Sequence, residues 1–548
     1  KVCEISGKVY GADSGKDITI RVITDHIKSA MFMICDGVIP SNEGRGYVLR
    51  RIIRRACRHG KLLGIGREFL PELCEVAIAE NIGAYPELGE KKSYILKVIS
   101  IEEGRFYATL DAGLSILSGM IRNSFETGKK KISGEDVFKL YDTFGFPIDL
   151  TREIAGEQNI PIDEKTFKEL MEQQRARARE ARVNMSGWSK DTKSLIDGLA
   201  KTEFTGYDET ESDAKVIAII ADDMFVDTVS EGDFSLVLDR TPFYGEGGGQ
   251  VGDTGTIMEQ GLLVNVSDTQ KSDGVYVHMC TMVNGTLRVG DSVKASVNRT
   301  RRENIKRNHS GCHLLQAALR KVLGTHVEQA GSYVDEGHLR FDFTHFSPLT
   351  KEELNTVEVL VNTNILVGNP VITEVMNIED AKKKGAMMLF GEKYGSVVRV
   401  VSMGNASVEF CGGTHVDNTS KIGLIKIISE SSVASGVRRI EAVTGNGVLG
   451  LINEKESIIA DTAKELKVQN ANDIAARAAQ LQGELAEAKK EIDTLNTKLA
   501  SGIKDTIMNS AVDVCGIKLV TVYMENLKLD VARRLSDTVK SEFPGLVL

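Results

Sequence analysis

The sequence predicts a multidomain α+β protein, and three changes of pattern along its 548 residues support that prediction. Amphipathic helical repeats dominate residues 1 to about 185, short β-rich runs separated by glycines follow from 215 to 297, and helices and strands then mix to about 450. A heptad repeat and a short terminal segment follow. A chain of this length with 42% hydrophobic residues can bury several cores. We therefore expect domains at 1–190, 198–297, 298–450, 451–501 and 502–548.

Composition narrows the functional classes. The formal net charge of −9 argues against indiscriminate nucleic-acid binding. The eight cysteines contain no Cys-x-x-Cys pair, which favours free thiols in a reducing compartment. No apolar run approaches the roughly 18 residues of a membrane-spanning helix and no leader opens the chain, so we expect a cytoplasmic protein with no membrane partner. The first residue is Lys1, and we expect both ends to be cut from a longer protein.

A basic helix is expected near the N-terminus. Residues 45–67 include no acid, and six basic residues crowd into little more than three helical turns. The apolar stripe formed by Leu49, Ile52 and Ile53 leaves the arginines on the other faces, so we expect a basic outer surface that recognises phosphate. The alternative is a solvated face paired with acids from a neighbouring helix. The basic residues are Arg50, Arg51, Arg54, Arg55, Arg58 and Lys61.

The β-rich region suggests a small barrel and contains the glycine-rich segment 241–250, TPFYGEGGGQ. No Lys-Ser/Thr pair and no helical pattern follow its glycines, so the segment is not a phosphate-binding P-loop. A turn or a bulge is the structural explanation for the glycines of this segment.

Two pairs of residues, each four positions apart, predict a metal site. His309 and His313 form the first pair, and Cys411 and His415 form the second. Residues four apart share one helical face, and two such pairs give the four nitrogen and sulfur ligands that zinc prefers. We expect one zinc ion per chain. Ser310 occupies the position where a zinc metalloprotease has its catalytic Glu, which argues against peptide hydrolysis by that route.

A heptad seam follows residue 450, because apolar residues alternate four and three apart. It predicts either self-association into a homodimer or an intramolecular helical hairpin, and we weigh the two equally. The seam residues are Ile474, Ala478, Leu481, Leu485, Ala488, Ile492, Leu495 and Leu499.

These motifs together resemble bacterial alanyl-tRNA synthetase, over nearly the whole chain. The segments 21–26, 36–51 and 140–147 are similar to the family's helical tRNA-recognition domain, and the segments 241–250, 309–313, 329–332, 339–343, 411–415 and 436–441 are similar to its editing domain. The threonyl-tRNA synthetase editing domain shares the paired His and Cys/His design, but the upstream PSNEGRGY element and the downstream heptads favour the alanyl family. One departure is HSGCH at 309–313, where the family commonly has HSATH; Gly311 and Cys312 replace the Ala and Thr.

The resemblance implies particular partners and roles. It implies tRNA(Ala) as the partner, with Asn42 and Asp142 reading the acceptor-stem G·U pair, while Arg50, Arg54 and Arg58 are expected to meet phosphates. Arg438 and Arg439 are expected to hold the phosphate of the terminal adenosine, although one could equally form a structural ion pair. We find no candidate for the ATP-binding core of a class II synthetase, so ATP and Mg²⁺ use and ligation are not expected from this chain.

The resemblance implies that the zinc site hydrolyses tRNA(Ala) mischarged with serine or glycine. Alanine differs from glycine by one methyl group and from serine by one hydroxyl group. A binding pocket discriminates such pairs by only about 10- to 200-fold, so a second, hydrolytic site is needed. Gln329 is the candidate for contact with the aminoacyl group or the attacking water. Four protein ligands leave zinc no open position, so either one ligand, for example Cys411, gives way or the ion only organises the pocket. The rival hypothesis is a non-catalytic tRNA-binding and dimerisation module in which the metal is a structural staple.

Overall fold

The computed structural model divides the chain into two compact units, residues 1–448 and 449–548. The predicted linker at 184–197, with Trp188 and the boundary at 190, lies almost entirely outside the described residues. The finer domain boundaries stay predictions. The structure describes residues 1–42, 44–126, 131–144, 146–183, 195–196, 198–388, 394–434, 436–521, 523, 525 and 529–542.

The first unit begins with nine helices among the described residues, as the amphipathic repeats predict. Their apolar faces bury one shared core that includes Ile23, Leu49, Phe106 and Phe146. The side chain of Asp13 caps the second helix by accepting hydrogen bonds from two free backbone amides. The helices are α1 (Val2–Ser6), α2 (Ser14–Cys35), α3 (Gly44–Leu62), α4 (Leu70–Asn81), α5 (Glu87–Glu90), α6 (Lys92–Glu126), α7 (Gly134–Asp142), α8 (Ile148–Glu157) and α9 (Glu164–Val183).

The predicted barrel is confirmed. Six antiparallel strands close on themselves in the order β2, β5, β9, β8, β7 and β11, because β11 pairs with both β7 and β2. Alternate residues of β2 point inward, as its period of two requires. The strands are β1 (Glu203–Phe204), β2 (Glu211–Ala221), β3 (Met224–Val226), β4 (Thr228–Val229), β5 (Asp233–Leu238), β6 (Arg240–Thr241), β7 (Gly255–Glu259), β8 (Leu262–Ser272), β9 (Val275–Asn284), β10 (Leu287–Arg288) and β11 (Ser292–Val297).

An α+β region completes the first unit. A four-stranded antiparallel sheet has the order β12-β13-β18-β17, and a three-stranded sheet has the order β14-β15-β16. The first two helices of this region, α10 and α11, pack against each other and against the four-stranded sheet. Leu315, Phe341 and Ile440 lie in its core. The elements are α10 (Arg299–Leu323), β12 (Gln329–Val334), β13 (Leu339–Thr344), α11 (Lys351–Val367), β14 (Val371–Asn377), α12 (Ile378–Lys383), β15 (Val397–Met403), β16 (Ser407–Phe410), β17 (Ile425–Ala434) and β18 (Val437–Thr444).

Arg302 fastens the barrel to the α+β region. Its guanidinium is almost fully buried and donates to Asp253 Oδ2 (2.8 Å) and to the carbonyl oxygens of Gly206 (2.6 Å) and Pro242 (2.7 Å). Asp253 Oδ2 also accepts from the backbone amide of Tyr244 (2.7 Å). These contacts hold the glycine-rich segment beside α10, the helix that carries the first histidine pair.

The second unit is a set of helices with a small hairpin. The heptad helix extends to residue 509, eight residues beyond the expected boundary, and β19 and β20 pair after it. The seam residues Leu485, Ile492, Leu495 and Leu499 are each 54–56% exposed, so no intramolecular hairpin covers them within the described residues. No described helix is long and apolar enough to cross a membrane. The elements are α13 (Asn446–Glu465, which begins in the first unit), α14 (Ile474–Asn509), β19 (Val512–Val514), β20 (Ile517–Leu519) and α15 (Leu529–Glu542).

Candidate metal centre and active site

Helix α10 places the first ligand pair on a buried face. Asn298 caps the helix by accepting a hydrogen bond from the Arg301 amide (3.1 Å). One turn separates His309 from His313, whose rings stack with centroids 5.3 Å apart. Both histidines are buried because this face of α10 packs against the four-stranded sheet. The four-residue spacing therefore places His309 and His313 on one face of a helix, as the sequence predicts.

The second pair reaches the site differently. Cys411 and His415 lie in a loop that follows β16, so the expectation that a helical face brings them together is wrong for this pair. The loop instead turns back on itself: the Cys411 amide donates to Arg399 O (3.0 Å), and the Gly413 amide lies 3.4 Å from Cys411 Sγ. The turn gives the two side chains a common direction without a helix.

The four side chains converge. One candidate ligand atom from each of His309, His313, Cys411 and His415 lies within 4.8 Å of the other three. Cys411 Sγ is 3.5 Å from His309 Nε2 and 3.2 Å from His415 Nε2. Ligands of a tetrahedral zinc ion are roughly 3.3–3.6 Å apart, given Zn–N and Zn–S bonds of about 2.0–2.3 Å. The donor set and the two sulfur–nitrogen distances therefore fit zinc.

A buried polar group lies beside the second nitrogen of each imidazole. His309 Nδ1 is 2.8 Å from Gln250 Oε1, His313 Nδ1 is 2.8 Å from Glu409 Oε2, and His415 Nδ1 is 3.1 Å from Ser310 Oγ. Glu409 also accepts from Ser407 Oγ (2.6 Å), which orients its carboxylate. Metal-binding histidines typically have such partners, which fix the tautomer and leave Nε2 for the ion.

The orientation of Gln250 is fixed by Thr414. The Thr414 backbone amide can only donate, and it donates to Gln250 Oε1 (2.9 Å), while Gln250 Nε2 donates to Thr414 Oγ1 (3.0 Å). Since Oε1 only accepts, the proton between Gln250 and His309 belongs to His309 Nδ1. Gln250 is fully buried at the end of the glycine-rich segment. The turn alternative for that segment therefore holds, with positive φ at Gly248 (59°) and Gly249 (82°), and the turn delivers Gln250 to the site.

The electrostatics of the ligand cluster favour a thiolate. Burial by itself would raise the pKa of the Cys411 thiol, but the three surrounding histidines outweigh burial and hold that pKa well below its usual value. Burial opposes the charged form of His313, yet Glu409 and Cys411 raise its pKa well above the usual value. Burial lowers the pKa of His415 to about 3. A thiolate and neutral imidazole are the ligand forms that zinc takes, so the pKa shifts of Cys411 and His415 favour zinc binding, whereas His313 must lose its proton when an ion binds.

The cluster opens into a cavity of about 430 Å³. Gln329, at the start of β12, lines the cavity and donates from Nε2 to Ser332 Oγ (3.1 Å), so the structure brings this predicted residue to the same site. Cys312 also lines it. Gly311 faces away, where an added Cβ would be only 3.0 Å from Thr444 Cγ2, and this close approach of helix α10 to β18 accounts for glycine at that position.

A family model matches the segment that carries the second ligand pair. The family model described as "Threonyl and Alanyl tRNA synthetase second additional domain" matches residues 398–441, which include Cys411 and His415. The model described as "tRNA synthetases class II (A)" matches residues 1–301, more than half of the chain. The chain belongs to the class II (A) tRNA synthetase family.

Curated relatives narrow the likeness within this family. The chain is 50% identical over 545 residues to the alanine–tRNA ligase of Acetivibrio thermocellus, covering 99% of this chain and 62% of that protein. It is 48% identical over 551 residues to alanine–tRNA ligase 1 of Lachnoclostridium phytofermentans, covering 100% and 63%, and 46% identical over 543 residues to the enzyme of Clostridioides difficile, covering 98% and 62%. The chain thus spans about three fifths of the length of these relatives.

One sequence-based expectation about this class II synthetase chain is not confirmed. We expected the aminoacylation core to be missing, and hence no ligation with ATP and Mg²⁺, because no motif for it was recognised. The class II (A) model nevertheless matches from residue 1 through residue 301. Helical periodicity alone carries no signal for that family match, so the expectation rested on the absence of a motif.

The basic helix α3 is arranged differently from the expectation. Arg54 and Arg58 are only 7% and 5% exposed, so a basic outer surface is wrong for these two residues. Arg54 Nε donates to Glu102 on α6 (2.7 Å), and Arg58 donates to Glu153 and Glu157 on α8 (2.7 and 2.6 Å). Carboxylates from the neighbouring helices α6 and α8 therefore pair with these two arginines, which is the neighbouring-helix alternative.

The remaining tRNA candidates have partners within the protein. Arg50 bonds to both Glu102 (3.1 Å) and Asn42 Oδ1, and Asp142 Oδ1 accepts from Gln174 (2.7 Å). Arg439 forms a two-pronged pair with Asp342 (2.7 and 2.8 Å). Arg438 forms one with Glu430. Arg438 and Arg439 thus both show the ion-pair alternative, while the RNA-binding roles of all five residues stay predictions.

Sequence reasoning did not identify several residues of the site. Gln250, Ser310 and Glu409 hold the imidazoles, and Tyr207 and Arg399 border the cavity. Two of them carried a usable signal: Gln250 ends the glycine-rich segment and Ser310 sits between the two histidines. The other three lie in ordinary strand or loop sequence, where nothing local marks a buried partner.

Proposed function

We propose that this chain hydrolyses the ester bond of tRNA(Ala) mischarged with serine or glycine and spares alanyl-tRNA(Ala). The observation that carries the proposal is the convergence of one cysteine sulfur and three imidazoles, each imidazole with a polar partner beside it, in a cavity that Gln329 also lines. Support comes from the match to the threonyl and alanyl second additional domain and from the relatives named alanine–tRNA ligase.

Zinc bound by His309, His313, Cys411 and His415 would supply positive charge that polarises the ester carbonyl or lowers the pKa of a water molecule. The residues around it have defined tasks. Gln250, Glu409 and Ser310 fix the imidazoles, so that little reorganisation is needed during reaction. Gln329 presents its amide to the aminoacyl group or to the attacking water, with Ser332 holding that amide in place.

Cys411 is the ligand proposed to yield its position if substrate or water must enter. Its sulfur has one weak internal support, the Gly413 amide at 3.4 Å, whereas each imidazole has a closer partner. Like His415, it is only partly buried.

A deacylation assay on seryl-, glycyl- and alanyl-tRNA(Ala) tests the function. Metal-replete protein should clear the first two and leave the third, and bound metal analysis should give one zinc per chain. Cys411→Ala should abolish clearance, while Cys280→Ala, which removes a buried barrel thiol that does not line the cavity, should not. Equal rates on all three substrates, or no turnover by metal-replete protein, would contradict the proposal.

The second candidate function is RNA binding without hydrolysis, with the metal as a structural staple. The observation in its favour is that four protein ligands fill a tetrahedral site. On that view, Cys411→Ala should unfold the region around α10 rather than leave a folded, inactive protein with tRNA affinity within a few-fold. Circular dichroism and tRNA binding of the same variant separate the two functions.

The relatives' name also supports ATP- and Mg²⁺-dependent attachment of alanine to tRNA(Ala) as a proposed activity. Alanine-dependent exchange between ATP and pyrophosphate tests it directly.

For tRNA recognition we propose base contacts from Asn42 and Asp142 and a phosphate contact from Arg50. Loss of a base contact should cost about 1–3 kcal/mol on the cognate tRNA only, whereas loss of the phosphate contact should weaken the binding of all tRNAs alike.

We further propose that the heptad seam of α14 associates with a second copy of this chain. The exposed seam leucines and isoleucine leave an apolar stripe with the spacing of a coiled coil. Sedimentation of the wild-type chain and of a Leu485→Glu/Leu495→Glu variant tests the association. A wild-type monomer at micromolar concentration would rule it out.

A further inference from the structure

The loop that leads to Asn42 lies between two glycines from different parts of the fold. On one side is Gly46, in the first turn of α3, where an added Cβ would lie 2.2 Å from Ser41 Oγ. On the other side is Gly436, in the turn between β17 and β18, where an added Cβ would lie 3.0 Å from Pro40 O. Backbone therefore approaches the loop closely from both sides, which residues without a side chain allow.

The Gly436 turn is fixed to the α+β region. Gly436 has a φ of 78°, in the left-handed region that other residues rarely adopt. Its carbonyl oxygen accepts from the backbone amide of His345 (3.0 Å), which directly follows β13. Strands β13 and β18 belong to the sheet on which α10 packs, and α10 carries the first pair of metal-ligand histidines. The turn therefore moves with the region that holds the candidate metal site.

A second contact holds this part of the α+β region against the helical region. The Tyr94 ring on α6 stacks on His326 with centroids 4.6 Å apart, and His326 Nε2 lies 2.9 Å from His345 Nδ1. Arg105, also on α6, donates from Nη2 to Phe346 O (2.8 Å). The segment whose amide donates to the turn is thus itself in contact with the helical region.

Pro40 makes the loop stiff. The proline ring fixes its own φ at about −65° and also restricts the residue before it. A shift imposed at Pro40 O is therefore passed along the chain towards Ser41 and Asn42. Asn42 is exposed, and its Oδ1 accepts a hydrogen bond from Arg50 of α3. Residues of a binding site must be held to within about 0.5 Å of their working positions, so a small shift of this loop matters.

We propose that Gly436 is a positioning residue for recognition of the tRNA acceptor stem, because its turn sets the place of the Asn42 loop. The inference rests on the proposed base contact of Asn42 and adds the residue of the α+β region that controls this contact. The region that contains the metal-ligand cluster thereby takes part in choosing the acceptor stem that the helical region binds.

Binding of two acceptor-stem hairpins to the full chain tests the proposal, one hairpin with the G·U pair and one with G·C in its place. Gly436→Ala should lower the preference for the G·U hairpin at least about fivefold, the lower end of what one base contact contributes. Gly232→Ala is the matched control, because its φ is 81° and an added Cβ would meet nothing within 4 Å. It should keep the wild-type preference. Equal weakening of both hairpins by Gly436→Ala would mean a merely structural role and overturn the proposal.

A second substitution separates crowding from backbone strain. Asn adopts a positive φ more readily than Ala but has a larger side chain. Gly436→Asn should therefore lose at least as much of the preference as Gly436→Ala; a smaller loss would show that strain, not the place of the loop, is the cause. Hydrogen exchange of the free protein checks the contact itself. Exchange at residues 38–42 should rise in both Gly436 variants and not in Gly232→Ala, and unchanged exchange would refute the contact.

Asn42→Ala recognises a failure of the base contact separately. If this variant loses the preference and adding Gly436→Ala lowers it no further, the turn acts through Asn42 as proposed. If Asn42→Ala loses the preference while Gly436→Ala keeps it, the inference about the turn alone is wrong. If Asn42→Ala keeps the preference, the proposed base contact is wrong, and the turn has no role through Asn42.

Discussion

Gln250 and His309 are hydrogen-bonded, Oε1 to Nδ1 at 2.8 Å, although 59 positions separate them in the chain. One residue ends a barrel-side turn and the other lies mid-helix on α10. The same Gln250 oxygen accepts from the Thr414 amide, in the turn between Cys411 and His415. A single amide thus ties the glycine-rich turn to both halves of the metal-ligand cluster.

Replacing Gln250 should therefore weaken the metal centre without touching a ligand. In Gln250→Ala, His309 loses the partner that fixes its tautomer and orientation, so zinc affinity should fall roughly 10- to 100-fold. Competition with a chromophoric chelator measures the affinity. Gln250→Glu, which keeps an acceptor for His309 Nδ1, should lose less than the alanine variant; the opposite order would show that His309 does not depend on this bond.

Two adjacent glycines provide a matched steric test. A Cβ at position 413 would lie 2.1 Å from His309 Cε1 and 2.9 Å from Gln250 Oε1, whereas a Cβ at position 412 would meet nothing within 4 Å. Gly413→Ala should displace the imidazole and lower zinc content and deacylation at least roughly tenfold. Gly412→Ala should behave like wild type. Equal zinc content in both variants would mean that the site relaxes around the methyl group.

A substitution at Gln329 distinguishes the proposed editing reaction from metal binding. Replacing Gln329 with His puts a bulkier side chain at the cavity wall and removes the amide held by Ser332, so clearance of seryl-tRNA(Ala) should fall at least roughly tenfold. Zinc content should be unchanged, because Gln329 is not a ligand. Parallel measurement of zinc and deacylation tests this, and unchanged hydrolysis would place Gln329 outside the reaction.

Arg58 should matter for stability. Its buried guanidinium pairs with Glu153 and Glu157. Glu153 keeps Arg55 as a partner (3.3 Å) and Glu157 is exposed, so no buried carboxylate is left unpaired when Arg58 is removed. We therefore expect a loss of about 1.5–3 kcal/mol, the contribution of hydrogen bonds to a charged group. Arg51→Ala is the matched control on the same helix, since its side chain is 44% exposed and its 3.5 Å pair with Asp149 should contribute at most about 1 kcal/mol. Chemical denaturation of both variants gives the difference; similar stabilities would contradict the structural role.

Acid should destabilise the first unit through His278. Burial lowers the pKa of this fully buried barrel histidine to about 4, against 6.5 ordinarily. The unfolded state therefore binds more protons between these values, and stability falls as pH drops from about 6.5 towards 4, by on the order of 3 kcal/mol in total. His326, His345 and His415 also have lowered pKa values and act in the same direction, so His278→Gln should reduce the slope of this dependence without abolishing it. His338→Gln, at a partly exposed position, should leave the slope unchanged. Denaturation midpoints between pH 4 and 7 decide the matter, and parallel curves for His278→Gln and wild type would refute it.

Local patterns were sufficient for several elements. The alternation of apolar residues between glycines predicted the barrel, which closes with six strands. Helical periodicity predicted that helices dominate residues 1 to about 185, and α1 to α9 lie there. The second ligand pair shows the limit of such reasoning: its four-residue spacing was right for convergence but came from a loop, because Arg399 O and the Cys411 sulfur hold the turn.

The sequence by itself determined the α+β fold class, the barrel and the four side chains that meet at the candidate metal site, because each depends on residue type and short spacing. Only the tertiary structure decided which residues support them. Gln250 reaches His309 across 59 positions and Ser310 reaches His415 across 105, and Arg54 turns inward to Glu102 across 48. Such partners are chosen by the packing of distant elements, since a buried polar group must find whatever complementary group the fold brings within hydrogen-bonding distance.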